Sequence, residues 1–116
     1  MKIIETDNAP KAIGTYSQAV KVNGFLFISG QIPLDPSTME LVEGIENQIN
    51  QVFENINQIL KADGMDFSNV VKLSVLLEDL SHFEKVNEIM ASIFSKPYPA
   101  RAAYEACLLY TSPSPR

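Results

Sequence analysis

The 116-residue chain has no tryptophan, one cysteine and one histidine. A lone cysteine, Cys107, excludes an intramolecular disulfide, and Cys107 with His82 offers no metal-ligand spacing. With His82 alone at the expected start of a helix, and read as a surface residue, Ser17 and Ser29 have no second histidine to activate them as nucleophiles. They read as strand residues. Basic residues are also few: nine Lys and Arg stand against fourteen Asp and Glu, a formal net charge of -5. They are scattered, whereas phosphate recognition draws on clustered positive charge, so no nucleic-acid partner is expected. No apolar run approaches the roughly 20 residues needed to span a bilayer. The amino terminus lacks a basic segment followed by an apolar stretch, and these absences together predict a cytoplasmic protein away from membranes. Neither a Gly-x-Gly-x-x-Gly nor a P-loop lysine motif occurs, which leaves a tightly bound nucleotide without support.

What the chain does have is apolar residues, 46% of the total, patterned for one soluble domain with one core. Met1 to Gly14 reads as an extended arm. Tyr16, Gln18, Val20 and Val22 alternate along a first strand, Asn23-Gly24 favours a tight hairpin turn, and Phe25 to Ile28 is an apolar strand covered on both faces. Gln31 to Gly44 is mostly loop, with a short edge strand near Met39 to Val42. Ile45, Ile49, Val52, Phe53, Ile56 and Leu60 recur at helical spacing, and Gly64 closes that helix. Val70 to Leu77 forms a strand whose Val71, Leu73, Val75 and Leu77 make one apolar face. Ser81 and Glu84 match a capping box ahead of a second helix, His82 to Ser95, and Arg101 to Ala106 is a further strand. The order gives an α+β domain, a mixed sheet with two helices on one face. The other sheet face, neither strongly polar nor wholly apolar, is expected to pack against another subunit.

Chemistry concentrates in Pro97-Tyr98-Pro99-Ala100-Arg101-Ala102-Ala103-Tyr104-Glu105. Two prolines fix the backbone before a single arginine, so the guanidinium starts from a constrained position. Arg101 reads either as one partner of a surface salt bridge or as a fork for a small carboxylic acid held by two hydrogen bonds. The neighbouring Glu78 and Asp79 read as solvated loop charges rather than an acid and base pair.

The chain resembles the RidA or YjgF type of reactive intermediate imine deaminases. The resemblance runs through Asn8-Ala9-Pro10, Ala12-Ile13-Gly14, Tyr16-Ser17-Gln18-Ala19, Phe27-Ile28-Ser29-Gly30-Gln31-Ile32-Pro33, Val70 to Leu80, Phe83, Val86-Asn87 and Pro99 to Glu105, in the family's order. It implies a chorismate-mutase-like α+β fold and a homotrimer with clefts between subunits. The implied activity is hydrolysis of reactive 2-imino acids such as 2-iminobutanoate and 2-iminopropanoate to 2-keto acids and ammonia, which protects pyridoxal-phosphate enzymes, with no cofactor in the deaminase itself. By position, Arg101 would bind the substrate carboxylate beside the Ser29-Gly30 backbone, Tyr16 would line the cleft, and backbone groups near Ala103 would help place the attacking water. On the residues alone, Tyr16 is equally a half-buried strand aromatic.

The resemblance ends near Ala106. The family continues into a last strand with a Val-Glu-Ile-Glu pattern, one glutamate of which helps hold the water, and no residue here matches it. The chain instead runs through Cys107-Leu108-Leu109 into a Ser-Pro tail. The sequence therefore divides into a domain over 1–106, with the last strand missing, and an irregular tail over 107–116 of foreign or frameshifted origin, which would impair the activity. A trimer that binds small carboxylic metabolites without turning them over is the alternative function. A ribonuclease-like translation inhibitor, associated with some of the family, fits poorly with the acidic charge.

Overall fold

The computed structural model describes residues 1–105, and the expectations for Ala106 and for the 107–116 tail lie outside them. The described chain forms two compact units, Met1–Phe67 and a second beginning at Ser68.

In the first unit, β1 (Lys2–Ile4), β2 (Ala19–Val22) and β3 (Phe25–Ile28) form an antiparallel ladder in the order β1-β2-β3. The Asn23-Gly24 turn is built as its sequence predicts. Val22 pairs with Phe25, and both turn residues have positive φ, 51° and 81°, a pair of values that asparagine and glycine adopt at least cost. β1 is new. The arm expected to be merely extended pairs Ile3 with Val20 and Ile4 with Ala19.

The helix α1 (Ile45–Ala62) follows the apolar stripe. It ends as Gly64 predicts: Gly64 takes φ 72°, its N–H donates to the Lys61 carbonyl at 3.0 Å, and the Met65 N–H donates to the Leu60 carbonyl at 2.9 Å. From α1 the side chain of Ile59, fully buried, joins Ile4, Ala9 and Ala19, with Leu26 and Ile28 packed against them. One face of the ladder is thereby covered.

Among the described residues the outward positions of β3 are exposed, which corrects the reading of Phe25 to Ile28 as covered on both faces. Leu26 and Ile28 point toward α1, while the alternation of a strand turns Phe25 and Phe27 outward, 62% and 57% exposed. Their partners Val20 and Val22 and the neighbouring Ile3 share that face. The edge strand expected at Met39 to Val42 is reduced to a single bridge between Leu34 and Leu41. From β2, the central strand, Lys21 Nζ lies 2.8 Å from the buried Asp63 Oδ2, an ion pair by distance without hydrogen-bond alignment.

In the second unit, β4 (Lys72–Leu77) and β5 (Ala100–Glu105) pair in parallel, with Leu73 opposite Arg101, Val75 opposite Ala103 and Leu77 opposite Glu105. The single mixed sheet expected from sequence is thus found as two ladders, one antiparallel and one parallel. Leu73, Val75 and Leu77 are the more buried positions of β4, as the two-face reading predicts, but Val71 precedes the strand and is 70% exposed.

Between these strands, α2 (Phe83–Ile93) buries Val86, Ile89 and Met90. The Ser81/Glu84 capping box does not form. A short 3-10 turn, Leu80–His82, precedes α2, and its cap is Asp79, whose Oδ1 accepts the Ser81 N–H at 2.8 Å. With that amide engaged and His82 at the start of α2, no side chain caps the helix. Glu105 at the end of β5 accepts the Leu80 N–H at 3.3 Å and ties the turn to the strand.

Candidate functional site

Each residue singled out by the sequence has a definite local setting, three in the first unit and two in the second. Tyr16 lies before β2 rather than within it and is 53% exposed, so it is not a half-buried strand aromatic. Its hydroxyl accepts the Ile13 N–H at 3.3 Å, folding the Ile13–Tyr16 loop back on itself. Gly14 at the centre of that loop has φ 117°, a conformation strained for any residue with a Cβ. Tyr16 and Ser17 line an open depression with Thr6, Asp7 and Lys11.

Ser29 and Gly30 follow β3. The groups of Ser29 are engaged in holding the chain: its N–H donates to the Gln18 carbonyl at 2.9 Å, its hydroxyl donates to the Ser17 carbonyl at 2.6 Å, and its own carbonyl accepts Gln31 Nε2 at 3.0 Å. That leaves Gly30. It is exposed, and a Cβ built there would meet nothing within 4 Å, so there is open space beside its backbone.

In the second unit Arg101 projects from β5 onto α2. Its guanidinium carbon lies 4.6 Å from the centre of the Phe83 ring, and Nη1 donates to Asn87 Oδ1 and approaches Met90 Sδ at 3.6 Å. Phe83, Asn87 and Met90 stand at i, i+4 and i+7 on one face of the helix, so a single stripe contacts one guanidinium. Among the described residues no carboxylate pairs with Arg101, which removes the salt-bridge reading from this chain's own described side chains. A ring face and neutral acceptors fix the group, and none of these described partners carries a negative charge. Ala103, two residues on, is half-buried on the same face of β5.

Sequence reasoning missed two buried amides. Gln18, 5% exposed, accepts the Thr6 N–H at 2.7 Å through Oε1, while Nε2 reaches the carbonyls of Thr6, Ala9 and Pro10 at 3.1, 3.3 and 2.7 Å. Asn55, fully buried in α1, donates through Nδ2 to the carbonyls of Ile32 and Leu34 at 3.3 and 3.0 Å, and Oδ1 accepts Gln51 Nε2 at 2.9 Å. Both serve backbone outside the named strands, where a buried carbonyl requires a side-chain partner. The signal for Asn55 was its place beside the apolar stripe of α1, where a polar residue needs a reason.

The Asp79 carboxyl is held below its ordinary value by the Ser81 backbone N–H, then the Ser81 hydroxyl, with a smaller contribution from His82. Its role is to cap a turn. Among the described residues no group of three or more His, Cys, Asp or Glu could hold a metal, and no helix is long and apolar enough to cross a membrane.

Comparison with known proteins adds four findings. The family model described as Endoribonuclease L-PSP matches residues 6–113. The chain is 50% identical over 109 residues to the 2-iminobutanoate/2-iminopropanoate deaminase of Mus musculus, covering 93% of this chain and 81% of that protein. It is also 50% identical over 109 residues to a RutC family protein of Pyrococcus horikoshii, covering 93% and 86%. Among solved structures, RidA from an Antarctic Psychrobacter species superposes with a TM-score of 0.89 at 52% identity, over 92% of this chain and 87% of that one.

Proposed function

The chain belongs to the Endoribonuclease L-PSP family and has the RidA/YjgF fold, an α+β architecture, and from that membership we propose that it is a deaminase of small 2-imino acids. The observation that carries the reading is Arg101, a guanidinium fixed by Phe83, Asn87 and Met90 with no carboxylate partner among the described residues. The mouse relative is named for 2-iminobutanoate and 2-iminopropanoate, two short 2-imino carboxylates, and a carboxylate is what such a fork binds.

In the reaction, water adds to the C=N carbon of the imino acid and the resulting carbinolamine expels ammonia, leaving the 2-keto acid. The imine carbon is already electrophilic, so orientation supplies much of the catalysis. Arg101 holds the substrate carboxylate, the Gly30 N–H is a second donor to it, Tyr16 lines the cleft, and backbone near Ala103 helps place the water. In this division Ser29 acts through the backbone it fixes, since its own N–H and hydroxyl are engaged. The chemistry is that of a hydrolase acting on a C=N bond in the cytoplasm, and these residues require neither cofactor nor metal.

The exposed face of Ile3, Val22, Phe25 and Phe27 supports assembly into a homotrimer, with the sites between subunits. Sedimentation at a mass of about one chain would refute the trimer. The 107–116 tail enters this proposal as foreign sequence that supplies no water-holding glutamate, which lowers the rate. Although the family description names an endoribonuclease, a net charge of -5 supports a small-molecule substrate over RNA.

The test is a coupled assay in which threonine dehydratase generates 2-iminobutanoate and release of 2-ketobutyrate is followed. The proposal requires faster release when the protein is added. Unchanged release, with 2-ketobutyrate still bound in calorimetry, would instead establish the non-catalytic carboxylate binder.

A further inference from the structure

Asn55 is an unusual residue for its position. Asparagine is a poor helix former, and here it sits fully buried in the second half of α1 with both amide hydrogens directed out of the helix at one loop. That loop begins at Gly30. On the amino-terminal side of Gly30, Ser29 is fixed to β2's approach through the Gln18 and Ser17 carbonyls. On the carboxyl-terminal side, the first long-range anchors are the Ile32 and Leu34 carbonyls held by Asn55, with the Pro33 carbonyl between them accepting the Val42 N–H at 3.0 Å, and Gln51 in turn orients the Asn55 amide. Gly30 itself has no side chain with which to hold its place, and its backbone is exposed.

From this arrangement we infer that Asn55 is a positioning residue for the substrate carboxylate: it fixes the Ile32–Leu34 backbone, and through it the direction of the Gly30 N–H. The inference rests on the reading of Gly30 as a donor to that carboxylate. An N–H aimed at a carboxylate is strongest above about 150° and weakens steeply below about 120°, so a drift of the loop that turns it weakens binding without removing any group that touches the ligand. A leucine would fill a helix core at least as well; what it cannot do is satisfy the two carbonyls and hold the loop that carries them.

The test uses the full chain and 2-ketobutyrate as the probe in calorimetry, with three variants. Asn55→Leu keeps the branched shape and the number of heavy atoms and removes the hydrogen bonds, Gln51→Met removes only the bond that orients the Asn55 amide, and Ile59→Val loosens the same helix in its apolar core. Weakening of 2-ketobutyrate binding by about tenfold in Asn55→Leu is expected, since a hydrogen bond to a charged group is lost or misaligned. A smaller weakening is expected in Gln51→Met and none in Ile59→Val, with the Gly30 amide resonance shifted in the first two only. Binding and Gly30 resonance unchanged in folded Asn55→Leu, or in Gln51→Met should Asn55→Leu not fold, would overturn the inference while leaving the carboxylate site intact. Equal loss in Ile59→Val would overturn it too, by showing a general effect of stability. Failure of the unaltered protein to bind 2-ketobutyrate would overturn the site reading itself, and this inference with it.

Discussion

The two units hold their candidate groups in different ways. In Met1–Phe67 the Ser29-Gly30 backbone and the Tyr16 loop are fixed by neutral amides and carbonyls, and the amides of Gln18 and Asn55 that anchor the surrounding chain are buried. From Ser68 onward the candidate for the carboxylate is one exposed charged side chain, Arg101, lying along a helix stripe. A backbone donor must be placed by fixing the chain around it, which consumes buried polar residues and makes placement inseparable from folding. A side-chain donor can be placed by contacts to the side chain alone. Mutations in the first unit should therefore act on stability and function together, and those around Arg101 on function with little cost in stability.

The largest effect on that comparison is expected from Gln18→Leu. It leaves the carbonyls of Ala9 and Pro10 without their partner inside the fold, together with the Thr6 backbone, and should lower unfolding stability by on the order of 3 kcal/mol at about 1–3 kcal/mol for each buried polar group left unpaired. Urea denaturation measures it, and a loss below about 1 kcal/mol would show that the arm does not depend on this side chain. An intermediate effect is expected at Phe83. Replacing the ring by leucine removes an exposed cation–π contact of about 0.5–1 kcal/mol, which should raise KM for the imino acid about two- to fivefold with kcat and stability little changed. An unchanged KM would mean that the ring does not orient the guanidinium.

The smallest effect concerns pH. Because Ser81 donates to the Asp79 carboxylate, its folded pKa lies below the ordinary 3.8, so its contribution to stability is present above that value and is lost as pH falls through the folded pKa. Asp79→Asn should therefore reduce thermal stability slightly at neutral pH, and the difference from the unaltered protein should close under strongly acid conditions. A difference that persisted there would assign the effect to something other than the charge.

The same contrast governs what was legible in the sequence. Features written in adjacent residues were readable: the Asn23-Gly24 turn, the Gly64 helix end, the α1 stripe and the alternation of β4 depend on steric rules within a few positions. β1 was missed because Lys-Ile-Ile has no pattern long enough to signal a strand, and its partner lies far along the chain. The capping box failed because Asp79, two residues before Ser81, competed successfully for the same amide. At the candidate site, the proline-bounded arginine was visible, while its supports required the fold. Phe83 and Met90 read as core stripe, and only the pairing of β4 with β5 shows Arg101 crossing that stripe. Gln18 and Asn55 were invisible for a related reason: a polar residue in an apolar pattern announces an exception without naming its partner.

The central claim is that Arg101 is a carboxylate fork for an imino acid, and the most direct test is the coupled dehydratase assay with Arg101→Ala. The account predicts that the unaltered protein speeds 2-ketobutyrate release, that Arg101→Ala folds with nearly unchanged stability, and that its acceleration is lost. Full acceleration by Arg101→Ala would contradict the account.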